Sequence, residues 1–193
     1  MATKASKRIL WLTQLALLTA ITIILQLLSA YVRFGPFQIA LALIPIVIGA
    51  ALHGIGAGAW LGAVFGLVVL LNGDAALFYA FSVPGTIVTV MLKGIAAGAA
   101  AGLIYRLLEK KNKTLAAIAA AVTVPMINTG MFVLGCYAFF LPLLREWAGG
   151  QNVSAFLFLT VIGGNFLFEL ATIALLSGVI VRVVGMWKAH RAV

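Results

Sequence analysis

Residues 84–108 read PGTIVTVMLKGIAAGAAAGLIYRLL, and the residue that decides their meaning is Lys93, an ammonium set inside an apolar run. A helix needs about 20 apolar residues to cross a bilayer, and this run has them. A second charge, Glu169, lies inside a second such run at residues 155–184. A charge near the bilayer centre costs at least about 2.5 kcal/mol, so such groups face a protein interior, find a partner or meet a ligand. Asn128, in the middle of a third apolar run, adds a polar group at similar depth. The expectation is that these residues line one pocket and that the other helices hold and present it.

The chain has 193 residues, 64% hydrophobic and 9% charged. A soluble domain is about half apolar and a quarter charged. The composition is that of an integral membrane protein, expected as one domain over residues 1–193. Lys and Arg number 13 against 4 Asp and Glu, a net charge of +9. In a membrane protein that excess reports orientation first, and no nucleic-acid partner is expected. Cys136 is the only cysteine, so no internal disulfide is available. No catalytic residue, metal or cofactor is expected. Lys4, Lys7 and Arg8 precede the apolar run 9–32. That run is longer than the roughly 7–15 residues of a signal-peptide core, so it reads as a retained first helix.

Six spans are expected. The first, residues 9–32, carries Ala16 and Ala20 one turn apart, with Thr13 a turn earlier. Small residues at this spacing admit close approach of another helix, from the same chain or from a partner subunit. Residues 33–38, RFGPFQ, form a turn at Gly35-Pro36, with Phe34 and Gln38 available to an interfacial belt or a ligand lid. The second span, 39–52, is short and contains Pro45, a candidate kink. The third, to about Leu71, has glycines at 54, 58, 62 and 66, and the fourth repeats the spacing at 94, 98 and 102. Four-residue glycine spacing makes a flat ridge for close packing. Between these two spans, residues 72–83 form a loop or short interfacial helix that offers Asn72, Asp74, Tyr79 and Phe81. The fifth span, 115–144, holds Pro125 just before Asn128, and Pro142 near its end. The sixth carries Asn165 and Glu169, four apart and so on one face.

Basic residues cluster at both termini and in residues 106–113, while the other side has Arg33 and Arg145 together with Asp74 and Glu146. The positive-inside rule then places both termini in the cytoplasm of an all-α bundle of six transmembrane helices.

The order of these features resembles the substrate-binding S component of energy-coupling-factor (ECF) vitamin transporters. The basic N-terminus, the Ala16–Ala20 pair, the short stretch IALALIPI at 39–46, the glycine ladder, the basic loop and the polar fifth and sixth spans carry the likeness over nearly the whole chain. Within the family the chain looks most like the branch of the pantothenate and folate subunits. The resemblance implies a multi-pass protein of the bacterial plasma membrane that captures a vitamin from outside the cell. It implies a transmembrane coupling subunit, contacted through Ala16 and Ala20, and two cytoplasmic ATPase subunits as partners. It implies a site drawn from the segment Phe34 to Gln38, from Asn72 to Tyr79 and Phe81, and from Lys93, Asn128, Asn165 and Glu169.

The residues leave two roles open for Lys93. It pairs with Glu169, or it meets the carboxylate of a ligand, pantothenate first and folate second, that Asn128 and Asn165 orient. The chain has no G-x-x-x-x-G-K-[ST] loop, so ATP would be hydrolysed by other subunits. One competing class is an ion or proton carrier, or a channel, with Lys93 and Glu169 as a relay. Matched broken helices would mark a carrier of that kind, and the sequence has none. The other is a membrane-embedded enzyme, for which no G-x-S-x-G or H-E-x-x-H motif is present.

Overall fold

The structure is a computed structural model that describes residues 4–31, 33–34, 37–38 and 41–190, with side chains described for 6, 8–29, 31 and 41–187. Among the described residues the elements in order are α1 (Lys4–Tyr31), a hairpin of β1 (Arg33–Phe34) and β2 (Phe37–Gln38), α2 (Leu43–His53), α3 (Ile55–Leu71), α4 (Ala76–Phe81), α5 (Val83–Leu108), α6 (Lys113–Phe139), α7 (Leu141–Ala148), α8 (Val153–Phe156), a π-helical turn (Leu157–Ile162) and α9 (Gly163–His190). The hairpin is antiparallel, with Arg33 opposite Gln38 and Phe34 opposite Phe37.

Among the described residues four segments are long and apolar enough to cross a membrane: Arg8–Ser29, Val83–Leu108, Lys113–Phe139 and Val153–Trp187. Their outer faces carry bare apolar side chains, such as Leu175 at 83% exposure and Leu159 at 79%. Water would penalise such a surface, and lipid does not. The shorter apolar helices α2 and α3 complete the bundle.

The tightest packing follows from the glycine ladders. A Cβ on Gly62 would overlap the Gly94 carbonyl, and one on Gly98 would overlap the Gly58 carbonyl. The reciprocal additions at Gly94 and Gly58 meet the same two partners. The ridges of α3 and α5 therefore lie against each other, backbone on backbone. With no hydrophobic drive between helices in lipid, this van der Waals contact holds the pair.

Helix α2 is the centre of the bundle and touches α1, α3, α5, α6 and α9. Leu43, Ile46, Val47 and Ala50 are at most 1% exposed, as expected of a helix apolar on all sides. It begins at Leu43, so Pro45 falls in its first turn, where its missing N–H breaks no helical bond. The kink suggested by the sequence is not needed. The fifth span also divides differently. Helix α6 runs through Pro125 and ends at Phe139, and Pro142 opens the separate helix α7. Caps fix other starts: Ser82 Oγ accepts from Gly85 N at 3.3 Å for α5, and Asn112 Oδ1 accepts from Leu115 N at 3.0 Å for α6.

Candidate functional site

Lys93 lies ten residues into α5, about 15 Å along the helix axis. At that depth α1, α3, α5, α6 and α9 enclose a cavity of about 310 Å³. Its wall includes Lys93, Asn128, Asn165 and Glu169, the four intramembrane polar residues singled out in the sequence. Separate segments of apolar chain thus bring their costly groups to one place.

The Lys93 ammonium stands over two rings, 5.8 Å from the centroid of Phe65 and 5.5 Å from that of Phe132. The ring faces offer a cation–π contact in place of water. Glu169 and Asp74 lie within Coulombic reach of it. Glu169 is 5% exposed. Its Oε1 accepts from Asn165 Nδ2 at 3.2 Å, the four-residue pairing that the sequence spacing anticipates. Lys93 and Glu169 thus share the cavity wall and act on each other through charge, with the buried Glu169 Oε2 left without a hydrogen bond among the described residues. Asn128, 5% exposed, likewise has Oδ1 without a partner among the described residues.

The other end of the cavity is built by the connection after α3. Asp74 lines it, and its Oδ2 accepts from Gln26 Nε2 at 3.1 Å and from Asn72 Nδ2 at 2.8 Å. Asn72 Oδ1 also accepts from Asp74 N at 3.0 Å, closing a local turn. Asn72 therefore acts behind the wall by holding Asp74, and it does not line the cavity itself. Tyr79 also stands outside the lining and packs half-buried against the core. The side chains of Phe34 and Gln38 lie outside the described residues. The strand that contains Gln38 runs beside α9, the helix of Glu169.

Phe78 of α4 covers one side of the site. Its ring meets those of Phe132 at 5.5 Å, Phe140 at 4.9 Å and Trp147 at 5.8 Å, all edge-on. Such contacts contribute about 0.5–1.5 kcal/mol each beyond burial and hold the short α4 in place. The π-helical turn before α9 contributes Val161 and Ile162 to the wall. Gly163 permits it, because a Cβ there would sit 2.6 Å from the Phe158 carbonyl. A π-turn shifts the register of the helix it leads into, and so re-aims Asn165 and Glu169.

Gln26 was not anticipated as a site residue. The signal was present: Thr22, Gln26 and Ser29, spaced four and three apart, form a polar stripe on α1, and their exposures are 0, 2 and 0%. Ala16 and Ala20 lie on the opposite side of α1 and are exposed. Of the aromatic lining, Phe78 falls within the expected segment after α3, whereas Phe65, Phe132 and Phe166 were missed.

A family model described as the ECF transporter, substrate-specific component, matches residues 11–184. Neither a curated protein nor a solved structure matches the chain.

Proposed function

The chain belongs to the substrate-specific-component family of ECF transporters, and we propose that it captures a vitamin at the outer face of the bacterial plasma membrane and delivers it inward. Members of this family bind small-molecule substrates, work with ECF coupling and ATPase modules, and are not enzymes. The reading takes α1, α2, α3, α5, α6 and α8–α9 as six spans. Both termini and the 109–112 turn face the cytoplasm, because the basic residues collect there. The cavity then opens toward the outside, at the end of the bundle that holds Asp74 and α4.

The observation that carries this proposal is the ammonium in the cavity wall. Lys93 lines a cavity of about 310 Å³, and the neighbouring Glu169 Oε2 is buried there with no hydrogen-bond partner among the described residues. A ligand carboxylate pairs with Lys93, and Asn128 and Asn165 are placed to orient the ligand's polar groups. The volume is at the small end of ligand pockets, about 300–1,000 Å³. It favours pantothenate over the bulkier folate.

Ala16 and Ala20, exposed on the face of α1 turned away from the cavity, are assigned to the transmembrane coupling subunit. Two cytoplasmic ATPases complete the assembly. Because the alanines and the cavity occupy opposite sides of α1, docking and capture are separable by mutation.

A relay of ions or protons through Lys93 and Glu169 is the competing reading, supported by the meeting of both charges in one cavity. Equilibrium binding to the purified chain, alongside ion flux in liposomes, separates the two. Saturable vitamin binding without partners and without flux is the expected result. Flux without vitamin binding would overturn the capture reading.

A further inference from the structure

Three oxygens of the cavity-lining residues are buried without a hydrogen-bond partner among the described residues: Gln26 Oε1, Asn128 Oδ1 and Glu169 Oε2. They come from three helices, α1, α6 and α9, and their residues are 2, 5 and 5% exposed. All three atoms are acceptors. For Gln26 the assignment is forced. Its amide faces Asp74 Oδ2 at 3.1 Å, and a carboxylate only accepts, so the NH2 must point there and the oxygen is left over. Glu169 spends one oxygen on Asn165 and keeps the other unmet.

Buried acceptors without donors are costly and uncommon. Three lining one cavity describe what fills it. Among the described residues the wall also carries one cation, Lys93, and two carboxylates, Asp74 and Glu169. A purely anionic ligand satisfies Lys93 but leaves all three acceptors unmet. A purely cationic ligand satisfies the carboxylates but opposes Lys93.

We infer that the ligand is two-ended, with an anionic group for Lys93 and hydroxyl, amide or amine donors for Gln26, Asn128 and Glu169. The inference rests on the capture reading and narrows its substrate class. Simple carboxylates without donors are rejected, because they would leave the three buried acceptors unmet. Pantothenate, with a carboxylate, an amide N–H and two hydroxyls, has the required pattern.

The test is calorimetric titration of the detergent-purified chain with four probes. These are pantothenate, N-butyryl-β-alanine (carboxylate and amide, no hydroxyls), pantothenol (hydroxyls and amide, no carboxylate) and thiamine (a donor-bearing cation). Pantothenate is expected to bind tightest, and loss of either end is expected to weaken binding at least about tenfold. The same titrations on Asn128→Leu, checked for an unchanged melting temperature, use a cycle to isolate one acceptor. The variant is expected to shrink the gap between pantothenate and the hydroxyl-free acid, leaving the latter's affinity within about twofold. Equal loss for both probes would overturn a hydroxyl contact at Asn128. Equal affinity for the two acids would overturn the donor requirement while leaving capture intact. Thiamine binding tightest would overturn the two-ended ligand. Silence from all four would overturn the inference, and a wider vitamin panel then decides whether the capture reading falls with it.

Discussion

Lys93→Met separates binding from folding at the centre of the site. In the free protein the ammonium rests on Phe65 and Phe132, at 5.8 and 5.5 Å from the ring centroids. Such a desolvated cation–π contact is worth about 2 kcal/mol. A charge at membrane depth costs about 2.5–3.5 kcal/mol. The two nearly cancel, so replacing Lys93 by a flexible apolar side chain of similar length should leave thermal stability unchanged or slightly raised. Binding behaves differently. A carboxylate on Lys93 makes a charge-assisted hydrogen bond worth about 1.5–3 kcal/mol. Its loss should weaken capture of a carboxylate vitamin about 10–150-fold. Equilibrium dialysis with labelled pantothenate measures the affinity, and scanning fluorimetry measures stability on the same sample. Lys110→Ala in the exposed turn after α5 and Lys188→Ala near the C-terminus serve as controls and should bind as the parent does. Affinity of the Lys93 variant within about twofold of the parent, at unchanged stability, would remove Lys93 from the site. A binding loss that tracked a fall in melting temperature would make it a structural residue.

Three further outcomes are expected. Gly62→Val places a side chain against the Gly94 carbonyl and should cost about 3 kcal/mol or more, read as loss of folded protein in detergent, whereas Gly130→Ala, with nothing within 4 Å, should be silent. Ala16→Trp or Ala20→Trp should spare vitamin binding but block assembly and transport; co-purification of an intact complex would give that face another job. Asp74→Ala removes the acceptor of Gln26 and Asn72 and should lower stability by about 1–3 kcal/mol; an unchanged melting temperature would show that the bonds do not tie α1 to the connection after α3.

The convergence of Lys93, Asn128, Asn165 and Glu169 was legible in the sequence because each is costly in lipid. Burial in one place is the cheapest solution for all of them. The glycine ladders were legible for a related reason, since a repeated missing side chain at helical spacing has few uses other than close contact. Most of the aromatic lining was not legible. Phe65 and Phe132 in apolar helices look the same whether they face a ligand or lipid, and only the assembled bundle distinguishes the two. Helix breaks were blurred too. Pro45 and Pro142 each read as an irregularity within a span, because a proline in a helix's first turn and one in its interior differ only in where the helix begins. Gln26 was harder to read because a neutral amide in an apolar helix is a weaker signal than a charge, although its stripe with Thr22 and Ser29 keeps the helical period.

Native mass spectrometry of the chain purified without partners tests the central claim most directly. The account predicts one small acid bound per chain, retained by the parent and lost from Lys93→Met. A bare chain that stays bare across a panel of vitamins, or an adduct that the Lys93 variant keeps in full, would contradict it.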